Sequence, residues 1–533
     1  IFTTFIGGSG DETVSGSFTP AAKIAPGGAI VVAVTTNSTD LETTGSPTPL
    51  QAVKNGNYDG YLIRLDPLLG SFQRGTYFGG PQYDSINAFD INPINGDIAI
   101  GLSTRSLNLG SGVDGTAAAL NYHRGTSAVA AAPGTDTNGF IAVIDRDLSR
   151  TKFGTYYGGN RSTQPYSLTY GRGYESVVIG GSTRATNMTW NAGSMNSGDF
   201  GAFVSRFSLG AGPRQGLPSQ AVVITSGIEY FSRVWVDQVH DRVYAIGRAY
   251  GTPSNASFNQ LAAHAAGFQK TFPPSTQMTR GVLVRFRPEV HEGISGWSII
   301  GSSGTSETER LTGLVVLRNG TMVVSGYTTA ANPPMPTIPG GTNLSHSSGT
   351  WTAGCVYRIP NGFTGITHAA YVGDRTTTGS DAAGIVAAGP YEDIYVVGST
   401  SRLLAPAIPG FTPHDSVAAN FEPFIARIAY STDPVLLRTT SASPLSGERV
   451  DAILELNAHV VDPAGQRVTF TSSNPAVLRL QGGPATRTMV IPRNQDRAAI
   501  KMLAESVSEP TAVTISATSS GTTRSSVVTV LPQ

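Results

Sequence analysis

The chain spells nearly one phrase three times. "TTFIGG" stands at Thr3 to Gly8, "GTYFGG" at Gly75 to Gly80 and "GTYYGG" at Gly154 to Gly159, about 75 residues apart. Self-similarity at a long fixed period constrains the fold more than any single motif. Each repeat is one supersecondary unit that buries its apolar face only by stacking on its neighbours.

Each unit reads as four short strands. After "GG" come a polar loop, a strand, a tight turn and a second strand ending on a small residue before Ser, Thr or similar. That column falls at Ala33, Gly101, Gly180, Gly247, Gly326 and Gly398, every 67 to 79 residues. The turns before it carry hairpin chemistry, "PGG" at Pro26 and Asn-Gly at Asn95 and Asn319. A third strand begins at Gly60, Gly139, Gly201, Gly281, Gly354 and Pro423. A fourth leads back to the opening phrase, with weaker copies at Ile228, Trp297 and Ala369. Helical spacing is brief, as at Phe258 to Gln269. Four short strands in each of six units predict an all-β fold, a six-bladed β-propeller.

The sixth unit has no fourth strand. The spare one is Ile1 to Gly8, expected to pair beside Pro423 to Ala429, closing the ring and removing its open edges. The Gly pair is expected to provide a sharp exit at positive φ.

These residues carry a family resemblance. "TYFGG…D…INPINGDIAIGLST…GFIAVID" and "TTFIGGSGDE" resemble the bacterial SBBP-type β-propeller repeat, whose phrase runs T-Y-L-G-G-S-G-D-D, then G-N-V-Y-V-T-G, then D-A-F-V-A-K-L-N. The resemblance covers residues 1 to 430, is strong in the first two units and weakens in the third to fifth. It implies an exported bacterial protein and assigns no site. The family name suggests seven blades, whereas six units are counted here.

Composition changes near Ser431. Beyond "STDPV" come short alternating strands, "AILELNAHVV", "VTFTSSN", "AVTISATSS" and "SSVVTVLPQ", as in a β-sandwich. "PLSGERV" and "VTFTSSNPAVL" resemble bacterial Ig-like modules, which implies a spacer or docking domain over 431–533, after the propeller at 1–430.

Bulk numbers narrow the partners. Charged residues make up 14% of the chain, below the roughly 25% usual for soluble domains. Formal net charge is zero, so no basic face for nucleic acid is implied. No apolar run reaches the roughly 18 residues of a membrane span. Cys355 is the only cysteine, which excludes intrachain disulfides and Cys-based metal sites. The chain starts at Ile1 rather than Met; the simplest reading is a mature exported chain whose signal peptide is gone, and a trimmed or partial chain is the alternative.

No catalytic signature stands out. The Gly-rich "GGSGDE" lacks the G-x-x-x-x-G-K-[ST] of a phosphate loop, and no G-x-S-x-G elbow occurs. The eight histidines show no metal-ligand spacing. "DINPINGD" and "GTDTNG" match no calcium loop and read as hairpin turns. Were calcium bound, Asp11, Asp84 and Asp381, which follow the "GG" loops, are the first candidates; no other cofactor is expected. Arg64, Arg206, Arg285, Arg358 and Arg427 recur near the end of the third strand. They read as a repeated structural solution rather than an anion-binding ring.

The connection between second and third strands is long in every unit and should emerge on the face that bears the "GG" loops. Connections this long are uncommon unless functional or self-packed. They carry Tyr122, Trp190, Phe258, Phe268, Trp351 and Phe411. Of these, Tyr122, Trp190, Phe268, Trp351 and Phe411 are the candidate partner-binding residues. The favoured reading is an exported, non-enzymatic cell-surface or extracellular structural or adhesion protein, its partners other surface proteins, a glycan or copies of itself. The alternatives are a lyase, lactonase or glycan-active propeller enzyme with its site at the channel mouth, and a soluble ligand-binding propeller.

Overall fold

The computed structural model describes residues 4–13, 22–106, 109, 137–186, 200–209, 218–224, 227–250, 267–268, 279–287, 290, 293–301, 308–317, 320–329, 352–372, 381–389, 394–400, 422–428, 434–456, 460, 464–483, 485–493, 495–519 and 521–533. Its residues group into two units, one of 1–386 and 396–425, the other of 387–395 and 426–533. The expected boundary at 430/431 falls outside the described residues.

The structure is all-β. The first sheet holds β1 (Glu12–Thr13), β2 (Ala22–Ile24), β3 (Ile30–Thr36), β4 (Asp59–Leu65) and β5 (Phe72–Phe78). Both β1 and β2 pair with β3 on the edge away from β4. The second sheet runs β6 (Asp84–Ile91), β7 (Ile98–Thr104), β8 (Asn138–Ile144) and β9 (Thr151–Tyr157). The third runs β10 (Thr163–Tyr170), β11 (Ser176–Thr183), β12 (Gly201–Ser208) and β13 (Pro218–Ile224). The fourth runs β14 (Ile228–Asp237), β15 (Arg242–Tyr250), β16 (Thr279–Phe286) and β17 (Ile294–Ile300). The fifth runs β18 (Glu309–Val316), β19 (Met322–Thr328), β20 (Ala353–Ile359) and β21 (His368–Val372). The second to fifth are meanders in chain order, and a three-stranded sheet of β22 (Asp381–Ala388), β23 (Ile394–Thr400) and β24 (Glu422–Ile428) follows.

Four-strand units were thus correctly read, with three corrections. Ile228 opens the fourth sheet instead of ending the third, whose fourth strand is β13. Residues 4–8 form no strand, so no closing strand is seen at the sixth sheet; Ile1 to Thr3 lie outside the described residues. The third concerns the glycine column. Opposite it, in the second to fifth sheets, the opening strand carries a β-bulge: the register jumps between Ile86 and Ala88, Pro165 and Ser167, Phe231 and Arg233, and Leu311 and Gly313. The second-strand residues facing the start of those jumps are Leu102, Gly181, Gly247 and Gly326. The structural column is therefore Leu102 and Gly181, not Gly101 and Gly180. At Gly181, Gly247 and Gly326 an added Cβ would overlap the carbonyl oxygens of Gln164, Tyr230 and Arg310. The bulge pushes backbone into the side-chain space, and glycine is what fits.

This register sets which face each residue buries. Val31, Ala33 and Leu62 pack forward onto Ile98, Ile100, Phe140 and Ala142 of the second sheet. Ala99 and Ile141 pack forward onto Val177, Ile179 and Phe203. Val178 and Val204 meet Ala245, Val282 and Val284, and Tyr244, Ile246 and Leu283 meet Met322, Val324 and Tyr357. Strands buried on both faces read as continuous apolar runs, as "IAIGLST" does. The opening strands β6, β10, β14 and β18 pack on one another in succession.

The C-terminal unit holds two four-stranded antiparallel sheets. Their strands are β25 (Pro434–Thr439), β26 (Arg449–Leu456), β27 (Gln466–Ser472), β28 (Leu478–Leu480), β29 (Thr486–Ile491), β30 (Arg497–Ala504), β31 (Thr511–Ser519) and β32 (Thr522–Val530). The orders are β25-β26-β30-β28 and β29-β27-β31-β32. Val450, Leu454, Val468, Phe470, Ile500, Met502, Val513, Ile515 and Val528 fill the core between them. The alternating burial of β30 and β26 is the period-2 pattern of a sheet with one solvated face.

Candidate functional site

The repeated phrase marks where one sheet hands over to the next. Its tyrosine pins the long loop. Tyr77 Oη donates to Ser38 O at 3.1 Å and accepts from Leu41 N at 3.0 Å. Tyr156 Oη donates to Ser106 O at 2.8 Å and accepts from Leu109 N at 2.9 Å. Its first "GG" glycine lies under the residue that heads the third strand. A Cβ on Gly79 would meet Asp59 Oδ1 at 2.5 Å, and one on Gly158 would meet Asn138 Oδ1 at 2.6 Å. Gly301 packs in the same way on Arg280, where a Cβ would also lie 2.8 Å from Glu309 Oε2. None of Gly79, Gly80, Gly158 and Gly159 has positive φ, so close approach, not left-handed backbone, is why glycine stands there.

The polar pair at each junction differs. In the first it is Asp59 and Asp84. Asp59 accepts from Asn55 N at 2.8 Å and Gln51 Nε2 at 3.1 Å, and burial raises its carboxyl. Asp84 accepts from Gly80 N and Ser106 Oγ, each at 2.7 Å, and from Thr104 Oγ1. Burial lifts it to about 6 against those three donors. Between fourth and fifth sheets the pair is Arg280 and Glu309, joined at 2.7 Å with side chains 0% and 2% exposed.

A second polar line follows the opening strands. Ile86 N donates to Thr35 Oγ1 at 3.1 Å, Val234 N to Ser167 Oγ at 3.0 Å, Ser232 Oγ to Leu311 O at 2.8 Å and Thr312 Oγ1 to Ala383 O at 2.7 Å. Each bond joins one sheet to the next. Asp90 does the same for three sheets, taking Lys23 Nζ at 2.6 Å, Thr169 Oγ1 at 3.0 Å and Tyr170 N at 2.9 Å.

Three of the five recurrent arginines have the structural role expected. Arg64 donates to Arg146 O at 3.1 Å, Arg206 pairs with Asp241 at 3.0 Å and Arg285 holds Asn361 Oδ1 at 2.8 Å. In all three the partner lies in a hairpin turn of the following sheet. Arg358 is buried and the Arg427 side chain lies outside the described residues.

Tyr122, Trp190, Phe258, Trp351 and Phe411 lie outside the described residues. Phe268 is half-buried and packs on the core between fourth and fifth sheets. Among the calcium candidates, Asp11 is exposed, Asp84 is engaged by three donors of its own chain, and Asp381 heads β22 with its side chain outside the described residues. Among the described residues no group of three His, Cys, Asp or Glu could hold a metal. Cys355 is buried and its thiol is pushed up to about 12, so it is a packing residue. No helix among the described residues is long and apolar enough to cross a membrane.

No protein-family model matches the chain, and no curated protein is similar to it. Among solved structures, domains 4 and 5 of the S-layer protein SbsC match with a TM-score of 0.16 and 8% identity, over 25% of this chain and 65% of that one. A longer SbsC fragment, residues 31–844, matches with a TM-score of 0.18 and 9% identity, over 96% of this chain and 54% of that one. Trypsin-activated alpha-2-macroglobulin from Escherichia coli matches with a TM-score of 0.15 and 9% identity, over 96% and 48%. This chain thus covers less than two thirds of each of these chains, and none of the three likenesses is close enough to give a fold.

Proposed function

We propose that the chain is an exported, non-enzymatic structural or adhesion protein of a bacterial surface or extracellular layer. Its repeated sheets form a rigid six-bladed SBBP-type propeller that serves as a binding or assembly platform, and its C-terminal sandwich is an Ig-like spacer. The observation that carries this reading is where the repeated polar residues are used. Ser, Thr and Arg recurring in successive sheets tie sheets to their neighbours. That is the arrangement of a mechanical scaffold, in which repeats duplicate their joints.

Ring closure is supported by the two ends of the sheet series. Leu62, Ile141, Val204, Leu283 and Val356, on the forward faces of five sheets, are buried. Their counterpart in the sixth, Ile425, is 76% exposed, and Val397 beside it is 41% exposed. At the other end Ile30 and Val32, on the backward face of the first sheet, are half-buried while Tyr61, Ile63 and Tyr77 of that face are buried, and Phe5 is fully exposed. The uncovered apolar face of the sixth sheet is what a series still lacking its closing neighbour would present.

The test is native mass and negative-stain imaging of the secreted protein, with a variant lacking residues 1–8. Closed discs that associate through their long-loop face are expected from the whole chain, and lost or polymerised protein from the variant. A stable, monomeric truncation would overturn the closure. Secreted protein that stays dispersed and binds neither itself nor a surface glycan or protein would overturn the platform.

A further inference from the structure

The connections of an antiparallel meander leave its two ends alternately. Those between first and second strands and between third and fourth strands lie on one side of the sheets, opposite the long connections. Contacts join these turns from sheet to sheet. A Cβ on Gly96 of the second sheet would lie 3.2 Å from Arg146 Cβ and 3.7 Å from Pro26 Cδ of the first. Tyr170 Oη of the third donates to Asp97 O at 3.2 Å, and Gln238 Nε2 of the fourth donates to Gly171 O at 3.3 Å. The turns of four successive sheets thus share one face.

Three of these turns are built alike. Leu68 N donates to Asp66 Oδ1 at 2.8 Å, Ile94 N to Asn92 Oδ1 at 2.9 Å and Val239 N to Asp237 Oδ1 at 2.9 Å. Each Asx turn holds an aliphatic side chain out at its tip, and the three are 61%, 74% and 62% exposed. Turn tips favour small and polar residues, so the turns themselves gain nothing from Leu, Ile or Val there. The charges are sorted by sign. Asp66, Asp145 and Asp237 are spent on backbone N–H groups of their own turns. Among the described residues of these turns Arg146, Arg150, Arg172 and Arg287 are exposed, whereas Glu175 is the only exposed carboxylate. Arg74 and Arg146 share one acid, Asp147, at 3.8 and 3.9 Å. Arg146 stands beside the Ile94 turn through its contact with Gly96. Arg172 follows Gly171, whose carbonyl is bonded by Gln238, the neighbour of Val239.

We propose that this turn face docks on an anionic lipid surface, with Leu68, Ile94 and Val239 entering the headgroup region and Arg146 and Arg172 pairing with lipid phosphates. A protein partner favours one contiguous apolar centre rich in Tyr and Trp. Here single aliphatic side chains stand on separate turns, with arginines beside them, which suits a fluid interface that takes each tip separately. The inference goes beyond the platform reading and uses the opposite side of the sheets, so the two fail separately.

The full chain is sedimented with vesicles of phosphatidylcholine and phosphatidylglycerol in equal parts, and with phosphatidylcholine alone. Binding to the mixed vesicles that weakens with added salt is expected, with little binding to the neutral ones. Leu68→Ser with Ile94→Ser and Val239→Ser should weaken it by about tenfold or more. Arg146→Gln with Arg172→Gln should weaken it by about fivefold for each charge removed, on the mixed vesicles only. Val53→Ser is the control. Val53 is 70% exposed near the head of β4, where Gln51 Nε2 donates to both Val53 O and Asp59, at 3.0 and 3.1 Å. It should leave binding unchanged. Wild type that does not bind the mixed vesicles at low salt would overturn the proposal, even if the chain still self-assembles. So would equal loss from Val53→Ser, or binding that survives both the aliphatic and the arginine variants. If the aliphatic variant changes only self-association, the face is an interface between copies and the lipid assignment falls.

Discussion

Gly101 and Gly326 occupy the same column of the sequence repeat and should respond oppositely to alanine. At Gly326 a Cβ would overlap the Arg310 carbonyl oxygen, lie 2.9 Å from its carbon and 3.1 Å from Leu311 Cα. All three atoms are backbone of a bulged strand, so no rotamer change relieves the clash. The strand pair must separate by roughly 1 Å, and overpacking of that kind costs on the order of 3 kcal/mol or more. At Gly101 the nearest atoms are Pro165 Cβ at 3.5 Å and Ala88 Cβ at 3.6 Å, ordinary contact distances. There the alanine fills space and restricts the unfolded chain, so Gly101→Ala should be stabilising by about 0.5–1 kcal/mol. Tryptophan emission during urea unfolding is a suitable assay. All four tryptophans, at 190, 235, 297 and 351, precede the C-terminal unit, and Trp297 is buried in the fourth sheet. A Gly326→Ala variant within about 1 kcal/mol of wild type, or a Gly101→Ala variant equally damaged, would refute the bulge argument.

Two further outcomes follow from the junction polar groups. Burial raises Asp84 from 3.8 to about 6, so the folded state holds the proton more tightly than the unfolded one. The associated stability is full below about pH 3.8 and is lost as pH rises through about 6, a change of up to roughly 3 kcal/mol. Asp84→Asn cannot titrate, so the stability difference between it and wild type should change over pH 4–7 and be flat above; a difference constant across that range would sink the assignment. Arg280→Met should cost about 3–5 kcal/mol because it strands Glu309 in the interior, whereas Arg280→Met with Glu309→Met should recover most of that loss. A double variant as unstable as the single would mean the pair is not an isolated buried unit.

Much of the N-terminal architecture was legible because strands and turns are local. Apolar runs such as "IAIGLST", Asn-Gly turns and the recurring "GG" phrase place the strands of the first two sheets within a residue or two. What escaped the sequence depends on where backbone meets backbone. The column was set one residue early at Gly101 and Gly180 because a glycine there looks like the glycines at Gly247 and Gly326. Only the bulges opposite Leu102 and Gly181 reveal the true register, and a one-residue slip turns a side chain to the other face of its sheet.

The sequence by itself determined the repeat, the all-β class, the meander order and a separate C-terminal β unit, since each rests on local period and turn chemistry. The tertiary structure decided the rest. It placed Asp59 over Gly79 and joined Arg280 to Glu309, contacts spanning tens of residues that no spacing rule encodes. It also set the pairing of β26 with β30 and of β27 with β31, which skip intervening strands. Such long-range choices are made by which faces can be buried together, and that is a property of the packed chain rather than of any segment.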